Sequence, residues 1–189
     1  MRLSTTGHKK VRAATIILTV ITAAIMLSRC RPADGTGNRA LLETRLQVLE
    51  DREELRLLLK NYGLFLDKRN FAAFAALFSE KEGEWIGGMG KAKGSAAIQK
   101  LMEDTIGTGD GKFFMPNYHL FANEMIKVNG DKAEAVSKWL FVVRGEDGGP
   151  QPVYLGRYED SFIRENGAWK FLRRVVSGEI PPDGVEEHP

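Results

Sequence analysis

Three histidines occur in this 189-residue chain, and two of them, His8 and His188, sit at its ends. His119 is therefore the single imidazole of the interior sequence. That leaves no histidine pair for a metal site and one group able to give or take a proton near neutral pH. Cys30 is the sole cysteine, so an intramolecular disulfide and a cysteine zinc site are both excluded. No Gly-x-Ser-x-Gly elbow is present, and covalent hydrolase chemistry has no nucleophile to start from. The glycine-rich run 87–94 precedes a helix-like segment but lacks a Gly-Lys-Ser/Thr ending and a Gly-x-Gly-x-x-Gly spacing. It reads as a turn leading into a cap at Ser95. No metal or cofactor is expected from these motifs, and a histidine can hold either proton role near neutral pH.

The elements that must position such a group are legible from periodicity. Leu42, Leu46, Leu49, Leu55, Leu59, Tyr62 and Leu66 recur at three- and four-residue steps with one wider gap, which predicts an amphipathic helix over 41–66. Asn70 is placed to cap a second helix from Phe71 to Phe78, and Ser95 a third from Ala96 to about Thr105. Glu84-Trp85-Ile86 reads as a short strand. Beyond Gly111 the pattern turns to period two. Strands are expected over 118–128 and 132–143, joined at Asn129-Gly130-Asp131, and over 153–164 and 168–176, joined at Glu165-Asn166-Gly167. Helices first and an antiparallel meander after them mean an α+β fold, with three helices packed on a strongly curved sheet.

Charge and hydropathy divide the chain. Residues 1–38 hold six Lys and Arg against Asp34, while the remainder holds 21 against 24 Asp and Glu. The body is mildly acidic and shows no basic face, so a nucleic-acid partner is set aside. A basic start followed by the uncharged run 13–28 has the layout of a secretory signal. Sixteen residues reach about 24 Å as a helix, so a membrane anchor over 11–28 is the alternative. Thr22-Ala23-Ala24 suits signal peptidase, whereas Arg29 stands where a lipoprotein box ending at Cys30 wants a small residue. Residues 1–30 are thus expected to be a signal peptide or anchor, with the body on the extracytoplasmic side; a start at Met26 would leave it cytoplasmic. Residues 31–39 read as a flexible linker, 40–180 as the domain and 181–189 as a disordered tail.

The run Leu55…Tyr62…Leu66-Asp67-Lys68-Arg69-Asn70, followed by Leu77-Phe78-Ser79 and Trp85, resembles the opening of SnoaL-like domains. These belong to the cone-shaped superfamily named after nuclear transport factor two. Gly94 with Ile98, His119 with Asn123, Gly130-Asp131 with Ala133, the run 156–160, and Trp169 with Arg174 follow in order. The similarity spans about residues 45–178. It implies a conical α+β barrel with a deep pocket, and a homodimer formed through the outer sheet face. The family hosts dehydratases and isomerases as well as members without known activity, so fold alone leaves function open.

The resemblance also implies roles. Tyr62, Asp67 and His119 match the tyrosine, aspartate and histidine of cone-fold dehydratases acting on steroid- or polyketide-like molecules. Elimination of water β to a carbonyl needs a base, an acid for the hydroxide and a donor to the carbonyl oxygen, which these three could divide among them. Tyr62 and Asp67 lie five residues apart, about 140° around a helix, so sharing a cavity requires the helix to end or bend near Asp67. The plain alternatives are a core tyrosine, a capping aspartate and a core histidine. Strand alternation puts His119, Phe121, Asn123 and Met125 on one side, Ser137, Trp139 and Phe141 on another, and Tyr154, Gly156, Tyr158 and Asp160 on a third. With Trp85, the residues Phe121, Asn123, Trp139, Phe141 and Tyr158 would then wall a pocket for a flat hydrophobic ligand. A non-catalytic ligand-binding or protein-interaction module on the same fold is the competing function.

Overall fold

The computed structural model describes residues 35–107 and 116–180. The expected signal or anchor segment and the C-terminal tail lie outside these residues. No helix among the described residues is long and apolar enough to cross a membrane. The chain divides into two units between Leu46 and Gln47, and the fold is that of the second.

Helix α1 runs Gly35–Asp67. It begins earlier than expected, so residues 35–39 of the anticipated linker are helical. Local i, i+4 contacts support that start, among them Arg39 Nε on Glu43 Oε1 at 2.9 Å. The apolar stripe also needs correction. Leu55, Leu59, Tyr62 and Leu66 are buried, whereas Leu42, Leu46 and Leu49 are 56, 55 and 59% exposed. The cause is the wider gap: six residues from Leu49 to Leu55 turn the helix by about 240°, so the two sets occupy different faces.

Asn70 caps α2 (Phe71–Ala75), its side chain accepting from the Ala73 N–H. The helix stops three residues short of Phe78 because the chain leaves it to bond the sheet. Phe171 N–H donates to Leu77 O and Ser79 N–H donates to Phe171 O, each at 2.9 Å. A hairpin follows, β1 (Glu84–Gly87) with β2 (Gly90–Lys93). Five of the eight residues of the glycine-rich run are therefore strand rather than turn. Helix α3 (Ser95–Ile106) is capped by Gly94 at φ 83°, with no side-chain cap; Ser95 is its first residue and not the cap. That φ suits glycine, and Gly94 N–H donates to Gly83 O at 2.8 Å.

The meander is present as expected and longer. Strands β3 (Asn117–Asn129), β4 (Lys132–Arg144), β5 (Pro150–Glu165) and β6 (Ala168–Ile180) pair antiparallel in succession. Asn166 and Gly167, at φ 51° and 80°, form a two-residue hairpin loop of the primed type, which matches strand twist. β1 joins β6 in parallel, giving the order β2-β1-β6-β5-β4-β3. This is the expected α+β architecture with an extra edge strand.

A bulge in β3 changes which residues face inward. Register shifts between Ala122 and Met125, where Asn123 takes φ 55°. Before it His119 and Phe121 oppose Phe141 and Trp139; after it Ile126 and Val128 oppose the buried Ala135 and Ala133. Met125 is 70% exposed and Asn123 is exposed as well, so neither shares the side of His119 and Phe121. One extra residue inverts a period of two.

The core is aromatic. Tyr62, Phe74, Phe78, Phe162 and Phe171 are buried in mutual contact, with ring centroids 4.7–5.9 Å apart for Tyr62–Phe74, Phe78–Phe171, Phe162–Phe171 and Tyr62–Phe171. Within it the Arg174 guanidinium holds Asp160 by two bonds of 2.7 Å and stacks 4.0 Å over Tyr62 and 4.1 Å over Tyr158. A fully buried charge is tolerated because its partner is bidentate and the ring faces are electron-rich.

Candidate active site

Asp67 is the last residue of α1. Directly after it the chain reverses through Arg69 at φ 56°, with Asn70 N–H donating to Phe65 O at 2.9 Å. The carboxylate thus projects from a helix end toward β3, where it meets His119. Asp67 Oδ1 lies 2.6 Å from His119 Nδ1, and Oδ2 accepts the His119 backbone N–H at 2.9 Å. The Asn117 amide donates to Oδ1 at 2.6 Å. Two donors from strand residue 119 and one from residue 117 hold the aspartate. Nδ1–H donating to the carboxylate makes Nε2 the nitrogen with a lone pair. The imidazole packs on Phe141, with ring centroids 4.7 Å apart.

Gly63 permits this approach. A Cβ there would sit 2.8 Å from Phe121 Cε2 and 3.3 Å from His119 Cβ, so any side chain would push β3 away from α1. Beside the dyad lies a cleft of about 330 Å³ between α1 and β3. Leu59, Leu64, Leu120 and Phe121 give it apolar walls, Arg56, Lys60 and Glu124 its polar rim, and Asp67 and His119 its reactive end.

Tyr62 is elsewhere. It is 1% exposed, does not line the cleft, and its hydroxyl accepts the indole N–H of Trp85 at 2.9 Å. Burial raises its pKa, against the opposing pull of Arg174, so it is a phenol. The helix does end at Asp67, but that end turns only the aspartate to the cleft; Tyr62 stays on the core face. Of the six expected pocket walls, Phe121 alone lines the cleft. Trp85 and Tyr158 are 2% exposed in the core, and Tyr158 stacks between Phe121 and Trp139 at 5.3 and 5.6 Å. Phe141 backs the imidazole. Asn123 sits exposed at the bulge.

Sequence reasoning missed Asn117, which falls one residue before the expected strand and carries no motif. Its only sequence signal is the i, i+2 spacing to His119, which puts both on one strand face. It also missed that Ser137 Oγ, Trp139 Nε1 and Arg174 Nη1 are buried without hydrogen-bond partners. Among the described residues no group of His, Cys, Asp and Glu could hold a metal ion.

The SnoaL-like domain model matches residues 47–175. No curated protein matches the chain in sequence. Among solved structures, an NTF2-like protein with a cystatin-like fold from Novosphingobium aromaticivorans is 29% identical, covering 76% of this chain and 90% of that one with a TM-score of 0.64. A scytalone dehydratase candidate from the same species is 28% identical over 71% and 87%, with a TM-score of 0.58. The hexachlorocyclohexane dehydrochlorinase LinA-type3 of Novosphingobium barchaimii is 21% identical over 77% and 99%, with a TM-score of 0.60, a likeness of fold.

Proposed function

This chain belongs to the SnoaL-like domain family, and from that premise we propose that it is a lyase or isomerase acting on a small hydrophobic, carbonyl-bearing molecule. The observation that carries the reading is the Asp67–His119 pair at the end of an apolar cleft. A base poised on a carboxylate, beside a space of ligand size, is what proton abstraction α to a carbonyl requires. In a dehydration His119 Nε2 takes the α-proton, the C–O bond breaks as the C=C bond forms, and the imidazolium returns its proton to the departing hydroxide as water. In an isomerisation the same proton goes back to carbon. Asp67 keeps the ring in the competent tautomer and stabilises the imidazolium. The name of the 28% identical relative, a dehydratase, supports elimination. Tyr62, held by Trp85, takes no part in polarising the carbonyl in this scheme.

A carboxylate turned onto the ring of the interior histidine, rather than toward Arg69 or solvent, supports the enzyme reading over a non-catalytic binding module. Export or N-terminal anchoring, read from residues 1–30, and a homodimer belong to the same proposal. The test compares small-molecule mixtures by mass spectrometry after incubation with wild type and with His119→Ala. A compound consumed only by the wild type, with a product lighter by one water or of equal mass, supports the reading. Ligands that bind equally to both proteins and leave unchanged would make it a binding module.

A further inference from the structure

α1 carries a second apolar stripe opposite its core face. Leu49, Leu57 and Leu64 are 59, 55 and 45% exposed. Glu53 and Lys60 occupy the same stripe, with side chains 66 and 67% exposed. At 100° per residue all five fall within about 80° of arc. Each face of the pattern is also the mirror of the other: about the point between Arg56 and Leu57, Leu49 is the counterpart of Leu64 and Glu53 that of Lys60.

We propose that this face docks on the same face of a second copy of this chain, with the two α1 helices antiparallel. A two-fold axis between Arg56 and Leu57 sets Leu49 against Leu64 of the second copy and Glu53 against Lys60 of the second copy, twice over. Within one chain Glu53 meets Arg56 Nη1 at 3.4 Å and Lys60 Nζ at 3.9 Å, both long contacts between exposed side chains that hold little energy. A parallel pairing would set Glu53 on Glu53 and Lys60 on Lys60, so the charges select the orientation. A lipid surface fits less well, because opposite charges interrupt the middle of the stripe. The contact is distinct from the outer sheet face, where Leu140, Leu155 and Ile180 are cross-strand neighbours. It does not depend on the catalytic reading, although the second helix would pass over the open side of the cleft that Lys60 and Leu64 border.

The test is disulfide trapping in the full chain carrying Cys30→Ser. Position 57 lies beside the axis, whereas 49 and 64 each lie about 11 Å along the helix from it. Leu57→Cys should therefore cross-link to itself on mild oxidation. Leu49→Cys and Leu64→Cys should cross-link when the two proteins are mixed and not when either is alone. Glu53→Lys and Lys60→Glu should each lower the Leu57→Cys yield several-fold, and the double exchange should restore it. Self-linking by all three cysteine variants would mean a parallel pair, and absence of any cross-link would mean another occupant; either overturns the proposal. So does a double exchange that stays as poor as the single ones.

Discussion

The carboxylate of Asp67 bonds His119 twice, through the ring at 2.6 Å and through the backbone N–H at 2.9 Å. One side chain therefore sets both the orientation of the imidazole and the distance of β3 from the end of α1. The fold and the proposed chemistry share that anchor, and variants here must be read on both scales.

His119→Ala should lower turnover of an identified substrate about 10²- to 10⁴-fold, the contribution of a positioned acid–base group. Asp67→Asn should retain the fold, lose stability of about 1–3 kcal/mol and reduce the rate, because an amide cannot accept all three donors or balance an imidazolium. Thermal melts and rates on the same preparations separate the two effects. A destabilised His119→Ala protein with full activity would remove the histidine from the reaction.

Tyr62→Phe distinguishes a core tyrosine from a carbonyl donor. The change strands the Trp85 indole N–H in the core, for a loss of about 1–3 kcal/mol. The rate should change less than about threefold, far below the 10²-fold or greater loss expected of an electrophilic donor. A large fall in rate at unchanged melting temperature would return Tyr62 to the active site.

Gly63→Ala should destabilise although alanine favours helix. The added methyl meets Phe121 and His119, and overpacking of this kind costs about 1–3 kcal/mol. The displaced strand should also disturb the dyad. Calorimetry is the check; a stabilised variant would contradict the close packing of α1 on β3.

Acid should release one tie between α1 and the sheet. Burial pushes the Asp51 carboxyl up, but hydrogen bonds from Arg164 and Gln47 outweigh it and hold the group below its usual value. A depressed folded value means that the stabilisation is present above the unfolded carboxylate range and is lost as pH falls through the folded value. Arg164→Met should cost about 3 kcal/mol at neutral pH by leaving the buried Asp51 without its cation, with Gln47 still donating to it. The difference in melting temperature from wild type should shrink below about pH 4. An unchanged difference would show that Asp51 adds nothing.

Asn117→Ala tests a positioning residue. Asp67 loses one of three donors, so the rate should fall about tenfold with little change in substrate affinity. A rise in KM alone would point to substrate contact instead.

Much of this molecule was readable where a few adjacent residues decide the outcome. Asn166-Gly167 is a hairpin because both residues tolerate positive φ, and Asn70 caps α2 because its side chain reaches the N–H three residues on. The alternation of β4 and β5 marks half-buried strands, and the family resemblance across about residues 45–178 implied the cone. None of this needs a distant partner.

What tertiary structure decided is which face of each element looks inward. Leu49 and Leu55 carry the same side chain, yet six residues of helix put one in solvent and the other in the core. Asn123 keeps the parity of Phe121 in sequence and loses it at a bulge. Tyr62 and Asp67 belong to one helix, but Trp85 claims the first and β3 the second. Gly90–Lys93 becomes a strand only because β1 offers it an edge. Periodicity reports relative angles along an element; the zero of that angle is set by packing against residues 20 to 120 positions away, as Arg164 on Asp51 shows, and no local pattern contains it.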